Sequence, residues 1–406
     1  MTTQTLAIGP MTFHLNIPGD KLLPLTRADV PPSAHTPADQ LRAALAKPRG
    51  LNAPFHTAVV PGDTATVVLD DTVPCFAELL GALLMELHTA GVASAAITLL
   101  VPPTSQTQPW LEELPDEFND VTVQIHDPAD AKQLSYLAST LEGRRIYMNR
   151  TLVEADIAIV LGGRRFDPAL GGIPGGAELQ LFPAFSNTET QAQITKLLLA
   201  DDDGADTLLD EAKAAVYFLG MPYFLQVIEG PADTVAEILF GLPPSCEIGV
   251  ERQEEHWRRT APDTTADLAI AAITSDSART RFADLAAALH TAREVLAPDG
   301  RLVLLCATAP SLDAEAQRLR HEDSAADAAK NLHRVAGPGN NTAALQWALA
   351  ANSHRLFVAS AWTDDAVEEL FAVPIHTPDE VQKLIDSAAC VAILPEAHLV
   401  RIQIAE

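Results

Sequence analysis

The chain has 406 residues, of which 48% are hydrophobic and 20% charged, and its formal net charge at pH 7 is −27. This length predicts two or three domains that bury their cores without disulfides or structural metals. The strong negative charge repels phosphate backbones and anionic lipids, so we exclude nucleic acid and membrane surfaces as partners.

The cysteines indicate the cellular compartment. Cys75, Cys246, Cys306 and Cys390 are far apart and form no Cys-x-x-Cys pair, which argues against a zinc site or a thiol-redox motif. Unpaired thiols in a chain of this size indicate a reducing compartment. The first residues do not read as a signal peptide, and no apolar run approaches the roughly 18 residues of a transmembrane helix. We therefore predict a cytoplasmic protein.

The first half of the sequence alternates short apolar strands with helices. Thr36-Pro37 is typical of a helix start, with an N-cap followed by proline at the first helical position. A helix is predicted over residues 75–88, with Asp71 or Thr72 as its candidate N-cap. Four short aliphatic or β-branched segments are predicted to be strands: 64–69, 95–101, 121–125 and 156–161.

The alternation resumes after the charged residues 251–263, which we interpret as the connection between two domains. Residues 282–296 are predicted to form a helix closed by Pro298-Asp299-Gly300, and another helix begins at Thr377-Pro378. The predicted strands here are 268–273, 302–307, 356–359 and 391–394. The pattern predicts two α/β domains, residues 1–258 and 259–406, with mostly parallel sheets and a cleft between the domains.

The strand at 156–161 runs into a glycine-rich loop that we predict to bind a ligand. Glycine lets the backbone approach a ligand closely, and successive N–H groups can surround an anion. The alternative is a tight connection that binds nothing. Arg164 and Arg165 are predicted to bind a phosphate or carboxylate, unless they pair with nearby acidic residues. The other candidate residues of this segment are Gly171, Gly172, Gly175, Gly176 and Glu178.

Asp70 and Thr72 follow the strand at 64–69, at the edge where open α/β sheets bind ligands, and both are candidate ligand-binding residues. His126 beside Asp127 could act as a base, although a capped strand end is the alternative. Cys75 begins a helix, where a thiol pKa can fall, but as a lone cysteine it is predicted to belong to the core.

Several motifs occur in a fixed order: Asp70-x-Thr72-x-Pro74, His126-Asp127, Asn149-Arg150, Glu154-Ala155-Asp156, Gly171-Gly172-x-x-Gly175-Gly176-Ala177, Pro183, Glu189-Thr190 and Pro298-Asp299-Gly300. This ordered set resembles the nickel-dependent lactate racemase family over about residues 17–394. The resemblance implies a two-domain α/β enzyme with its active site in the cleft. It also implies a nickel pincer cofactor, built on a pyridinium mononucleotide, that is tethered by a lysine. A histidine ligates the nickel in that family, and two others act as bases on the 2-hydroxy acid.

The chain departs from the family where that chemistry is done. No histidine lies between His126 and His256, and the glycine loop contains no lysine. Val73 stands at the motif arginine, Glu178 at the tethering lysine, and Gln193 or Ile194 at the nickel ligand. The two base histidines fall at Pro102–Ser105 and at Asp167 or Pro168, and the substrate-binding glutamine and lysine fall near Asp284 and Ala287. Proline cannot serve as a base, and glutamate cannot form the lysine link and would disfavour a cofactor phosphate.

We therefore expect no nickel-pincer cofactor and no metal, and we assign no catalytic residue. The predicted partner is a small anionic molecule or nucleotide bound in the interdomain cleft. One alternative is a 2-hydroxy-acid racemase or epimerase with a changed residue set, centred on Asp70, Arg164, Arg165 and Glu178. Another is a non-catalytic partner of an active paralogue. The sequence leaves homo-oligomer formation open.

Overall fold

The computed structural model describes residues 2–8, 11–27, 33–103, 108–140, 143–163, 177–200, 204–274, 279–334 and 341–405. The strands are β1 Thr2–Ile8, β2 Met11–Ile17, β3 Thr26–Arg27, β4 Ala65–Leu69, β5 Ile97–Val101, β6 Thr122–Ile125, β7 Leu134–Ser139, β8 Arg145–Asn149, β9 Ile157–Gly163, β10 Tyr223–Glu229, β11 Val235–Gly241, β12 Arg258–Ala261, β13 Ala266–Ile273, β14 Leu296–Cys306, β15 Arg355–Ala359, β16 Val373–Pro374, β17 Val391–Pro395 and β18 Arg401–Ile404.

The α-helices are α1 Pro37–Ala46, α2 Phe76–Ala90, α3 Arg150–Glu154, α4 Thr188–Ala200, α5 Gly204–Phe218, α6 Ser245–Trp257, α7 Phe282–Arg293, α8 Ala314–Leu319, α9 Ala325–Arg334, α10 Asn341–Ser353, α11 Asp364–Glu369 and α12 Pro378–Ser387. In the part of the chain that the structure describes, none of these helices is long and apolar enough to cross a bilayer.

The first large sheet has six strands in the order β11-β10-β9-β4-β5-β6. All neighbours are parallel except β10 and β11, which form an antiparallel hairpin. Every residue of β4 and β9 is buried, because separate apolar clusters cover the two faces of the sheet. The carboxyl ends of β4, β9 and β10 therefore lie side by side at one edge.

The second large sheet is entirely parallel, in the order β16-β15-β14-β13-β17. Leu285 of α7 and Trp347 of α10 belong to the core on one of its faces. The other face is covered by α12 and by the N-terminal hairpin of β1 and β2, whose Phe13 and Leu15 share a core with Ile270 of β13. The two sheets confirm the predicted α/β class with mostly parallel strands.

The N-terminal hairpin thus packs against segments that are far from it along the sequence. The backbone N–H of Asn16 donates to Oε1 of Gln382 in α12 over 2.9 Å, which fixes the hairpin against the second sheet. A small sheet in the order β18-β12-β3 joins segments from both ends of the chain. The domain boundary predicted after residue 258 stays a prediction. The hairpin of β1 and β2 lies before this boundary in the sequence, but its buried face packs on the second sheet.

Most predicted elements are present within two or three residues of their expected ends. The predicted starts of α1 and α12 are confirmed. Thr36 accepts the backbone N–H of Asp39 over 3.1 Å, and Thr377 forms a capping box with Glu380. These caps satisfy N–H groups that a helix leaves free in its first turn.

One predicted helix end was wrong. Helix α7 ends at Arg293, and Pro298-Asp299-Gly300 lies inside β14. There Asp299 has a φ of 60°, and the pairing of β13 with β14 shifts register, so these residues form an irregularity in a strand and not a helix stop. Residues 251–263, which we interpret as the connection between two domains, contain the end of α6 at Trp257 and the whole of β12.

Candidate functional site

The carboxyl-end loops of the two large sheets face each other and are joined by side-chain hydrogen bonds. The loops after β4 and β10 belong to the first sheet, and the segments after β13 and β17 belong to the second. We call the charged residues at this junction the interface cluster: Asp70, Asp71, Glu229, Asp233, Arg279, Arg281 and Glu396.

Asp70 holds the loop after β4 in shape. Its Oδ1 accepts the backbone N–H of Thr72 over 3.1 Å and the Thr72 hydroxyl as well, and its Oδ2 accepts the backbone N–H of Gly163 over 3.3 Å. The hydroxyl of Thr72 therefore does not cap α2. The N-cap of that helix is Cys75, which has a φ of 54° and makes no side-chain cap bond, so the predicted capping by Asp71 or Thr72 was wrong.

Gly163 is the last residue of β9 and lies close to the carboxylates of Asp70, after β4, and Glu229, at the end of β10. A Cβ atom at this position would lie 3.1 Å from Cγ1 of Val73 and 3.2 Å from Oε1 of Glu229. Contacts this short are tighter than most Cβ contacts, so glycine allows Asp70 and Glu229 to approach the end of β9 closely. Next to it, Gln180 donates to the backbone carbonyl of Gly163 over 2.6 Å.

Arg279 crosses from the second sheet to the first and uses three of its nitrogens there. Nε donates to the backbone carbonyl of Thr72 over 2.8 Å, Nη2 donates to Glu229 over 2.7 Å, and Nη1 pairs with Asp233. The side chain of Glu229 is only 4% exposed, so Arg279 supplies the charge that such a buried carboxylate requires.

Arg281 makes a second crossing contact, two residues further along. Its Nη2 pairs with the carboxylate of Asp71. Asp71 directly precedes Thr72, whose backbone carbonyl accepts the hydrogen bond from Arg279. Its backbone N–H donates to Asp284 over 2.7 Å at the start of α7. Two guanidinium groups from one short segment thus meet two adjacent residues of the loop after β4.

Glu396 makes the third crossing contact. Its carboxylate accepts the backbone N–H of Thr274 over 3.2 Å, the Thr274 hydroxyl, and the backbone N–H of Ala232 in the β10–β11 turn over 3.4 Å. His398 lies behind it, with Nδ1 4.0 Å from Oε2 of Glu396, and both side chains are buried. The structure therefore brings a histidine to this edge, which sequence reasoning missed.

The β10–β11 turn has an unusual backbone. Ala232 and Asp233 both have positive φ values, 53° and 61°. This conformation suits a two-residue hairpin turn but favours glycine and asparagine, and it costs energy for alanine. It presents the carboxylate of Asp233 to Arg279.

The sequence-predicted site residues have different outcomes. Arg164, Arg165, Gly171, Gly172, Gly175 and Gly176 lie outside the described residues. Asp70 and Thr72 lie at the junction of the two sheets, and their binding of a ligand stays a prediction. Glu178 lies in the short helical turn Ala177–Gln180 and is buried.

His126 is part of the packing. Its Nε2 lies 3.0 Å from the carbonyl of Ser186 and its Nδ1 3.2 Å from the side-chain nitrogen of Asn149. Burial lowers its pKa. It joins β6 to β8 and the segment before α4, which agrees with the structural alternative for this residue.

Cys75 is exposed, and its pKa is raised by partial burial and by the charge of Glu78. This is the opposite of the activated thiol that a helix start can produce. The charge of Arg279 lowers the pKa of Cys75, but burial and the charge of Glu78 outweigh it, which argues against a reactive cysteine.

Comparison with known family models finds a similarity over the first half of the chain. Residues 8–198 match the model of the lactate racemase N-terminal domain. The match shows that this segment, a little under half of the chain, is similar to that domain family. The resemblance inferred from the ordered motifs is thereby confirmed for this segment.

Solved structures share the fold of nearly the whole chain. The lactate racemase apoprotein from Thermoanaerobacterium thermosaccharolyticum superposes with a TM-score of 0.79 at 14% identity, covering 99% of this chain and all of that one. A structural-genomics crystal structure of a protein from Thermotoga maritima gives a TM-score of 0.68 at 14% identity, over 92% of this chain and all of that one. No curated protein matches.

The positions that the resemblance assigns to the family's cofactor can be located in part in the structure. Glu178 and Ile194 are both buried, the second in an apolar core cluster, and Gln193 on α4 is exposed. Neither Gln193 nor Ile194 offers an imidazole, and a carboxylate replaces the tethering amine. In the described parts of the chain, no three histidine, cysteine or acidic side chains are arranged to hold a metal ion.

Proposed function

We propose that this protein binds a small organic anion, a carboxylate or a phosphate-bearing nucleotide, between its two sheets and does not racemise lactate by the nickel-pincer mechanism. The observation that supports binding is the pair Arg279 and Arg281. Both reach from the second sheet to the strand ends of the first, and both already bind carboxylates there. Guanidinium groups bind carboxylate and phosphate in the same planar geometry.

The lost family residues support the second half of the proposal. Hydride transfer to and from a 2-hydroxy acid requires a base near neutral pKa. By the resemblance, one of the family's base histidines falls within Pro102–Ser105 and the other at Asp167 or Pro168, and neither place holds a histidine. Glu178 cannot form the lysine-derived link, so we derive no reaction step through that cofactor.

Two measurements test these halves separately. Racemisation of lactate is followed by chiral chromatography after the mature nickel cofactor is supplied, with a cofactor-free sample as control, and we expect no turnover above that control. Elemental analysis is expected to find no stoichiometric nickel in the purified protein. Turnover or stoichiometric nickel would refute the second half of the proposal.

Anion binding is measured by native mass spectrometry and calorimetry with nicotinic acid mononucleotide, lactate and inorganic phosphate as probes. We expect binding that weakens with added salt, because charged groups dominate the contact. The variant Arg281→Gln is expected to weaken it, whereas Arg42→Gln, a change at an exposed arginine of α1, serves as the control.

A second candidate function is an isomerase that uses a changed residue set. It is favoured by one observation, the buried pair of Glu396 and His398 next to Thr274 at the carboxyl edge of the second sheet. Exchange of the C2 proton of a 2-hydroxy acid in deuterated water, followed by NMR without added nickel, tests it. Exchange that Glu396→Gln abolishes would favour this candidate over simple binding. A role as partner of an active paralogue stays a prediction.

A further inference from the structure

We infer that the protein has a second anion site, which binds a phosphate group between α7 and α10. Its binding groups are His290 and Arg293, in the last turn of α7, and His354, which directly follows α10. We call these three residues the basic cluster. Helix α7 starts next to Arg281 at the interface cluster and carries the basic cluster at its other end, so the two sites are separate.

Two packed helices bring the basic cluster together. Leu289 of α7 and Ala350 of α10 belong to the same apolar core. Both helices end where β14 and β15 of the second sheet begin. His290 and Arg293 are three positions apart and therefore lie on the same side of α7. Nδ1 of His290 lies 3.0 Å from Oε1 of Gln346 in α10, which holds the ring between the helices.

Each side chain of the basic cluster has a buried nitrogen without a hydrogen-bond partner. These atoms are Nε2 of His290, Nε of Arg293 and Nδ1 of His354. Glu294 lies 3.7 Å from Nε2 of His290, which is too long for a hydrogen bond. Buried polar groups in proteins almost always have a partner, and burial of an unpaired charge is costly. The three nitrogens therefore indicate a place where an acceptor from outside the chain binds.

Arg293 is the central group of the cluster. Its side chain is half-buried, and within the described ranges no carboxylate forms an ion pair with it. The neighbouring carboxylate of Glu294 is instead bound by the backbone of Ile402 and attracted by the charge of Arg401. Burial lowers the pKa of the Arg293 guanidinium. A bound anion would supply the charge that this group otherwise lacks.

The ends of the two helices explain why basic side chains occur here. Cations near the C-terminus of a helix are stabilised by its macrodipole. That interaction requires no direct contact, and it leaves Nε of Arg293 and the two imidazole nitrogens without an acceptor. The macrodipole thus accounts for the presence of the basic cluster but not for its unpaired nitrogens.

Binding of an anion here should be linked to uptake of protons. Burial lowers the pKa of His290 and His354, and the charge of Arg293 lowers both further, so both rings are neutral at pH 7. The backbone of Gly300 and the charge of Asp299 act on His354 in the opposite direction without reversing the shift. An anion beside the rings stabilises their charged form and raises both pKa values. Affinity should therefore increase as pH falls.

A phosphate group suits the basic cluster better than a carboxylate. Guanidinium groups bind phosphate oxygens through charge-assisted hydrogen bonds. Because Nδ1 of His290 donates to Gln346, Nε2 of the neutral ring carries a lone pair. A phosphate monoester titrates at roughly pH 6, so it can donate its own proton to a neutral ring or accept one from a charged ring. An ionised carboxylate can only accept.

The experiment is calorimetry on the full chain with three probes. Inorganic phosphate and glycerol phosphate distinguish a free ion from a phosphate ester, and sulfate keeps a constant charge between pH 6 and pH 7.5. Arg293→Met removes the guanidinium and keeps its apolar stem. The control is Arg355→Met, at an exposed arginine of β15 whose guanidinium lies over the ring of Phe357. His354→Gln is a second test that leaves Arg293 in place.

We expect phosphate and its ester to bind, and Arg293→Met to weaken both by about tenfold or more, the loss of one charged hydrogen bond. Arg355→Met should have no effect, and phosphate binding at this site should persist in Arg281→Gln, which separates it from the interface cluster. Sulfate should bind more tightly at pH 6 than at pH 7.5, and His354→Gln should reduce this difference.

Two results would overturn the inference: phosphate binding that Arg293→Met leaves unchanged, or sulfate binding that does not depend on pH. Absence of any phosphate or sulfate binding lost in Arg293→Met would also overturn it, and the function proposed above would still stand on the effect of Arg281→Gln. Binding of inorganic phosphate without its ester would support the site with the free ion as its ligand.

Discussion

Asn149 donates a side-chain N–H to Nδ1 of His126 over 3.2 Å, which leaves the proton of the neutral imidazole on Nε2. The same Nε2 donates to the carbonyl of Ser186 over 3.0 Å. Asn149 cannot turn its oxygen toward the ring, because that oxygen accepts the backbone N–H of Thr151 over 3.0 Å. A second proton on His126 would face a donor, so geometry and burial both favour the neutral ring.

His126 should therefore make the stability of the protein depend on pH. Its pKa is lowered in the folded state by burial, while the unfolded value is near 6.5. As pH falls below about 6.5 the unfolded chain takes up the proton first, so folding stability is lost from there down toward the folded pKa. One pH unit lower, the loss from this residue is at most about 1.4 kcal/mol.

Urea denaturation at pH 7.5 and 5.5 measures this effect. His126→Gln should reduce the difference between the two pH values, whereas His14→Gln, at an exposed histidine of β2, should not. The difference should not vanish, since burial also lowers the pKa of His256, His290 and His354. An unchanged difference in His126→Gln would mean that the buried ring is already protonated.

The two arginines of the interface cluster should differ in their effect on stability. Arg279→Met leaves Glu229 buried without its guanidinium, a loss of about 3–5 kcal/mol for a buried pair. Arg281→Met removes a partner that is 39% exposed, and the cost should stay below about 1 kcal/mol. Thermal or urea unfolding checks the order, and Glu229→Gln combined with Arg279→Met should recover much of the first loss. Equal losses would contradict the assigned burial.

Two glycines should respond oppositely to alanine. A Cβ at Gly241, the last residue of β11, would lie 2.4 Å from the carbonyl oxygen of Arg49, which accepts a hydrogen bond from Leu242. Gly241→Ala should destabilise the protein by about 1–3 kcal/mol. In α2, a Cβ at Gly81 meets only Pro115 at 3.7 Å, so Gly81→Ala should stabilise by up to about 1 kcal/mol. Denaturant midpoints for both variants provide the test.

The thiol of Cys75 should alkylate slowly although it is exposed. Partial burial and the charge of Glu78 raise its pKa, so less thiolate is present at neutral pH than in a free cysteine. Iodoacetamide kinetics in the Cys390→Ser background should show a slower rate than in denaturant, and Glu78→Gln should raise it. A rate faster in the folded protein would contradict this.

Local sequence was sufficient for most strands and helix starts. The β-branched run at Ala65–Leu69 and the Thr377-Pro378-x-Glu380 pattern each determine an element within a few residues. The prediction that Pro298-Asp299-Gly300 closes a helix was wrong because a turn-like sequence can also form a register shift inside a strand.

The site depended on long-range contacts that no local pattern contains. Arg279 meets Glu229 across 50 positions, and Arg281 meets Asp71 across 210. In the sequence, the two arginines come just before a predicted helix, and Glu229 comes at the end of a run of apolar residues. Neither pattern indicates that these residues meet. They are brought together only because the two sheets pack edge to edge.

The hairpin of β1 and β2 leaves the ribosome before any strand of the sheet it covers. Two strands alone are marginally stable in water. The side chains of Phe13 and Leu15 are buried only after Ile270 and Val303 have been synthesised, because these residues form the core that they pack into. During synthesis this apolar face is therefore exposed until the second sheet has formed. For protein engineering, a fragment that begins near residue 259 would lack the cover of its own sheet. Expression of the second sheet as a separate unit therefore requires residues 2–17 to be grafted back onto it.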